Sequence, residues 1–149
     1  LTGMEAADAI CQSLAEESVL LPYGKYLAWL SDAGTSPDNS FYHSPGPYIL
    51  VDGTVVADDY ADLTDGTIAV PINLDENGKT VTAATSFPNV WTNTSVTGEA
   101  VDASPCQNWS SASINDRGQV GNFTKTGGSW TNESGFICLN SLHLYCVQQ

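Results

Sequence analysis

The groups through which this sequence could do chemistry are four cysteines, Cys11, Cys106, Cys138 and Cys146, and seventeen carboxylates. No two cysteines form a Cys-x-x-Cys redox pair, and no spacing matches an ordinary zinc ligand set. Four thiols allow three disulfide pairings. Pairing Cys138 with Cys146 would close a small loop on a segment that reads as extended. A Cys11–Cys146 bridge would tie the start of the chain to its end and leave Cys106 with Cys138. Four buried free thiols are the other reading. An even cysteine count in an acidic, Asn/Ser/Thr-rich chain favours an oxidising compartment.

Among the acids, Asp52, Asp58, Asp59, Asp62 and Asp65 fall within fourteen residues. Oxygen ligands so close together are what calcium prefers, although no twelve-residue calcium loop is present. A solvated acidic face is the simpler reading, and no cofactor is expected. A catalytic site needs a nucleophile, a base and an orienting group. His43 has Ser40, Ser44 and Asp38 near it in sequence, but no Gly-x-Ser-x-Gly elbow accompanies them, and no enzyme is expected. A hydrolase built on paired carboxylates is the residual catalytic alternative.

Tryptophans offer a non-catalytic route. Trp91, Trp109 and Trp130 lie in polar stretches. Trp130, flanked by Gly127, Gly128, Ser129 and Asn132, reads as exposed and suited to a sugar ring or a protein hot spot. Two of the four basic residues, Arg117 and Lys125, lie in the same stretch. Trp130, Asn132, Arg117, Lys125 and Trp109 are therefore the candidate binding surface.

Charge narrows the partners. Four Lys and Arg against seventeen Asp and Glu leave a net charge of -13, and thirteen of the acids lie in residues 1–76. Such a chain repels nucleic acid, heparin-like polyanions and anionic membranes. No apolar run reaches the ~18 residues that span a bilayer. The first residues, LTGMEAADAI, lack the basic and apolar regions of a signal peptide. The expectation is therefore part of a longer secreted or surface protein. Four Asn-x-Ser/Thr sites occur, at Asn93, Asn108, Asn122 and Asn132.

These groups need elements to position them. The length of 149 residues suits one domain. Residues 2–18 read as a helix with Thr2 as cap and Glu5 at the capping-box spacing. Met4, Ala7, Cys11 and Leu14 form its apolar stripe. KYLAWLS (25–31) reads as an internal strand. YILV (48–51) reads as a strand ending at the Asp52-Gly53 turn. A short helix is expected around 58–63, a turn at Asn77-Gly78, a strand edge within 87–97 and a terminal strand over 142–147. From Gly98 to Asn132 the composition predicts long irregular loops. The result is a loop-rich α+β domain.

Five stretches in order carry a family likeness over nearly the whole chain. They are GMEAADAICQSLA with Gly3, Ala7, Asp8 and Cys11, then KYLAWLS, then YILVDGTVVADDYADL. VWTNTSVTGEAVDASPCQNW follows, with Val90, Trp91, Cys106 and Trp109, and FICLNSLHLYCVQQ closes the series. The chain resembles endostatin-like domains, above all the bacterial versions in leptospiral surface proteins. The resemblance implies a compact C-type-lectin-like fold and nested bridges Cys11–Cys146 and Cys106–Cys138. It also implies a secreted or cell-surface setting and binding of host matrix or complement-regulating proteins. The vertebrate heparin face is missing, since the basic residues are only Lys25, Lys79, Arg117 and Lys125. The amino-terminal zinc histidines are missing too, His43 being the first histidine, so zinc is not expected. The sequence thus predicts an extracellular, non-catalytic module for adhesion to a protein or glycan. The alternative is a structural or assembly domain of a surface protein.

Overall fold

The computed structural model describes residues 2–83 and 87–149. It begins with helix α1, Gly3–Glu17. Thr2 occupies the cap position, but its side chain makes no capping bond, so the expected capping box does not form. Ala7, Cys11 and Ala15 are the buried stripe of α1. These are small side chains, and they let the helix backbone lie close against strand β1, Tyr26–Ala28.

That contact is polar as well as apolar. Asp8 Oδ1 accepts the Ala28 N–H at 2.9 Å and Gln12 Oε1 accepts the Tyr26 N–H at 2.9 Å. Asp8 and Gln12 are four residues apart, on one helix face. They therefore meet alternate N–H groups of β1 and close an edge that would otherwise be open. On its other edge β1 pairs antiparallel with the last strand, β7 (Cys146–Gln148), with Ala28 opposite Cys146. β1 is thus flanked on both edges, by a strand and by helix side chains. The terminal strand starts four residues later than the alternation over 142–147 predicts.

After the short helix α2 (Pro37–Ser40), strands β2 (Tyr48–Ile49) and β3 (Val55–Ala57) form a hairpin. Gly53 holds its turn at φ +87, where a side chain would strain the backbone. Helix α3, Tyr60–Leu63, falls where expected, capped by Asp59 Oδ1, which accepts the Asp62 N–H at 2.8 Å. Strand β4 (Asn89–Trp91) pairs with β5 (Arg117–Asn122), and β5 with β6 (Ser134–Ile137).

β5 corrects the sequence reading, which assigned loops from 98 to 132. It is the six-residue centre of the largest sheet. Its composition, RGQVGN, hides it because its glycines serve backbone contact rather than turns. A Cβ at Gly121 would lie 2.0 Å from the Trp130 carbonyl oxygen, so only glycine fits where the chain following β5 folds back upon it.

Two disulfides join these parts. Cys11 bonds Cys146 with Cα atoms 5.3 Å apart, and Cys106 bonds Cys138 at 5.7 Å. The bridges are nested, and no cysteine is free. The chain is an α+β domain with an N-terminal helix. Among the described residues no helix is long and apolar enough to cross a membrane.

Two predictions follow from this frame. Loop-closure entropy rises with loop length, so Cys11→Ala/Cys146→Ala should cost about 5 kcal/mol and Cys106→Ala/Cys138→Ala about 4 kcal/mol. Urea unfolding of both double variants checks the order. Burial holds the Asp8 carboxyl above its ordinary value, although the Ala28 N–H and Lys25 pull it down. A carboxyl raised on folding penalises the folded state wherever it is ionised, and the penalty fades as pH falls through the raised value. Asp8→Asn keeps the Oδ1 acceptor and drops the charge. It should melt higher than the parent at pH 7, and the advantage should vanish on acidification below the carboxylate range.

Candidate functional site

The expected tryptophan surface does not assemble. Trp130 is 1% exposed and packs against Trp29 at 5.2 Å and Tyr145 at 5.7 Å between ring centroids. The flanking glycines that suggested exposure instead shape a 3-10 turn, Gly128–Trp130, which sends the indole inward. Trp109 is half-buried. Its Nε1 donates to the Ser31 carbonyl at 2.9 Å and its ring meets Trp91 edge-on at 5.5 Å. Arg117 opens β5 and donates from Nη1 to the Gly135 carbonyl at 3.1 Å. Lys125 lies beyond the other end of the same strand. Six extended residues span roughly 17–20 Å, so the two cations do not share a site. Asn132 is exposed beside the buried Trp130.

The acidic run is likewise committed to local structure. Asp52 Oδ1 accepts the Thr54 N–H at 2.9 Å, which holds its carboxyl below the usual range. Asp59 caps α3, Asp62 Oδ2 accepts the Asp58 N–H at 2.7 Å, and Asp65 Oδ1 accepts the Thr67 N–H at 3.1 Å. Among the described residues no three His, Cys, Asp or Glu side chains are placed to hold a metal ion. The calcium candidates Asp52, Asp58, Asp59, Asp62 and Asp65 therefore do not converge.

His43 does not meet its sequence neighbours as a relay either. Its Nε2 faces the Asp38 backbone carbonyl at 3.0 Å, while Ser40 Oγ donates to the Ser36 carbonyl and Ser44 Oγ to the Gly46 carbonyl. The His43 ring stacks on Tyr60 at 3.7 Å. Burial, with Asp38 and Tyr48 adding, pushes the Tyr60 hydroxyl far above its ordinary value and keeps it neutral.

Two of the four Asn-x-Ser/Thr sites are internal. Asn93 is fully buried, with Nδ2 donating to the Asp102 carbonyl and Oδ1 accepting the Asp102 N–H. Asn122 is buried and donates to Glu133 at 3.0 Å. Asn108 and Asn132 are exposed.

The geometry points elsewhere, to an apolar cleft of about 860 Å³. Its lining includes Ile10 and Leu14 of α1, Leu20 beyond the helix end, and Tyr42, Tyr48, Ile49 and Val51. Trp29, Trp130 and Tyr145 lie beneath it. Ile10, Leu20, Tyr42 and Ile49 are each more than half exposed. Four large apolar side chains are thus left in water around one concavity, which makes it the candidate site of the domain. The sequence signal for it was weak. Ile10 sits beside the α1 stripe rather than in it, and Leu20 follows the helix outside any regular element. Tyr48 also lines the cleft. Burial raises its hydroxyl, and Asp59 and Tyr42 add to the effect against the opposing Ser44 N–H.

Outside the cleft lining the chain makes an unusual turn at residues 106–109. Cys106, Gln107, Asn108 and Trp109 have φ of +45, +52, +55 and +63. The Trp109 N–H reaches the Pro105 carbonyl at 2.9 Å and the Ser110 N–H the Cys106 carbonyl at 3.0 Å. This is one turn of left-handed helix, which costs about 1–2 kcal/mol per non-glycine residue. The Cys106–Cys138 bond and the Trp109–Trp91 contact hold it in place.

No family model matches the chain, and no curated protein matches it.

Gln107→Gly should relieve one left-handed residue at the loss of one exposed hydrogen bond from Gln107 Nε2 to Asp116. We expect the folded state to gain up to about 1 kcal/mol. Chemical denaturation at matched pH measures the change, with Gly118→Ala, which crowds the Trp109 ring at 3.1 Å, as the opposite control.

Proposed function

We propose that this chain is an extracellular, non-catalytic binding module on an endostatin-like, C-type-lectin-like scaffold, and that its partner is a protein of a host surface or matrix. The observation that carries the reading is the apolar cleft with Ile10, Leu20, Tyr42 and Ile49 exposed around it. Aliphatic side chains in a concavity suit the side chains of a protein better than the hydroxyls of a sugar. The tryptophans that would stack on a glycan are engaged in packing. The nested disulfides support an oxidising, extracellular setting. The bacterial surface origin belongs to this proposal and rests on the sequence likeness alone.

One cluster favours the glycan alternative. Asn89 and Asn122 both donate to Glu133, at 3.0 Å, and the exposed Phe87 lies edge-on to Phe136 at 5.9 Å. A carboxylate and an exposed aromatic ring are groups of the kind that hold sugars, and the buried Asn89 and Asn122 amides fix the Glu133 carboxylate in place.

Retention on immobilised extracellular-matrix protein separates the two. The cleft reading expects retention that Ile49→Asp reduces about tenfold or more, since a charge is placed where apolar area must desolvate. The circular dichroism and melting temperature should be unchanged. Retention that survives Ile49→Asp overturns it. A tryptophan-fluorescence response to neutral sugars, lost in Glu133→Ala, would establish the glycan site instead.

A further inference from the structure

The cleft is not electrically uniform. Helix α1 ends in Glu16 and Glu17, and its last turn holds no basic residue. A helix carboxyl terminus bears partial negative charge from its unpaired carbonyls, so two acids there oppose the helix's own stability. A local rule broken in this way points to use of the field rather than to the fold. Just beyond, Ser18 Oγ donates to the Glu76 carbonyl at 2.6 Å, which brings the turn at residues 75–79 against this end of α1. Gly78 of that turn sits over Leu20 and Val51, a Cβ there lying 3.3 Å from Leu20 Cδ1. Asp75 and Glu76 line the cleft from this turn. Asp75 and Glu76 thus line the cleft where the turn meets the negative end of α1, with Glu16 and Glu17 closing that helix just outside the lining and Lys79 the one cation of the turn.

The acids are unequal. Asp75 Oδ1 is occupied by the Asn77 and Lys79 N–H groups, at 2.9 Å each, and shapes the turn. Glu16 Oε1 accepts from Gln12 at 2.9 Å. Glu76 Oε1 accepts from its neighbour Asn77 at 3.2 Å. Glu17 is exposed.

We propose that the cleft receives a protein segment in one direction: apolar side chains between Ile10 and Ile49, and a lysine or arginine at the Glu17–Glu76 end. This rests on the binding reading above and adds its polarity. The apolar groups supply contact area, while the acids fix orientation and speed encounter. A net charge of -13 gives the same preference at long range.

The probes are two acetylated, amidated peptides, Leu-Ile-Leu-Gly-Lys-Lys and Leu-Ile-Leu-Gly-Glu-Glu, titrated into the intact protein at low salt. The expected result is about five- to tenfold tighter binding of the basic peptide, the scale of two exposed ion pairs. High salt should shrink the difference. Glu17→Lys/Glu76→Lys should bring the ratio to about one or below. Glu5→Lys/Glu99→Lys, which changes net charge equally away from the cleft, should retain most of it. Equal affinity for both peptides in the parent, with Ile49→Asp abolishing both, would overturn the polarity and leave the cleft reading standing. The same loss of preference in both double variants would show net charge alone at work and also overturn it. Failure of either peptide to bind, or binding indifferent to Ile49→Asp, would overturn polarity and cleft together.

Discussion

The structure turns on a buried web of hydroxyl and amide groups where β1, β4 and the 3-10 turn meet. Ser31, Thr92, Asn93, Thr94 and Thr131 have no exposed surface. Thr131 Oγ1 accepts the Trp29 indole N–H at 2.8 Å and donates to the Thr94 carbonyl at 2.9 Å. Thr92 Oγ1 donates to the Thr131 carbonyl, and Thr94 Oγ1 donates to the Thr92 carbonyl at 2.7 Å. The Thr94 hydroxyl proton is thereby used, so Ser31 Oγ must be the donor in its 2.8 Å contact with Thr94. Asn93, held at φ +46, ties Ser31 to Asp102. Each bond adds only about 1 kcal/mol net, but a buried group left unpaired costs about 1–3 kcal/mol. The web is therefore close to all-or-none, and it fixes where Trp29, Trp130 and Tyr145 stand.

That web explains which parts of the molecule were legible beforehand. Helix α1 could be read because its stripe repeats at three and four residues. The β2–β3 turn could be read because Asp52-Gly53 has one favoured geometry. The nested bridges implied by the family likeness formed as expected, since α1 and β7 lie on either edge of β1. The stretch from Trp91 to Thr131 was opaque. Threonines and asparagines in VWTNTS and SWTN look like surface by composition, yet here they satisfy one another inside. Trp130 looks exposed by composition for that reason, and β5 is hidden because its glycines resemble breakers. The cleft was hidden for a different reason: nothing in the one-dimensional pattern says that Ile10, Leu20, Tyr42 and Ile49 meet.

The cleft and the disulfides are linked physically. Two apolar clusters occupy the domain, one around Ala7, Cys11, Ala28 and Leu30 and one around Trp29, Val90, Trp130 and Tyr145. The cleft runs along both. A domain held only by burial gains by closing such a gap, since each buried apolar Å² contributes roughly 25 cal/mol. A bridge that joins residues 135 apart in sequence stabilises without that closure, because it acts largely through the unfolded chain. It also anchors α1 to β7, both of which contribute to the cleft lining. Covalent stapling thus permits a preformed concavity whose walls do not collapse, and preformed sites lose less free energy to ordering when they bind.

The second bridge holds a strained turn. Four successive left-handed residues cannot be held by their own hydrogen bonds, because the crowding recurs at each Cβ. Fixing Cys106 to Cys138 and seating Trp109 on Trp91, with its indole bonded to Ser31, makes that turn part of the buried web. Gly118 lets that turn pack closely: a Cβ there would lie 3.0 Å from Cys106 Sγ and 3.1 Å from the Trp109 ring. The strain is thus spent on bringing Trp109 over the web's outer face, where it covers Ser31. The cost of the turn is met by the disulfide and the Trp109 packing, and none of its four residues lines the cleft.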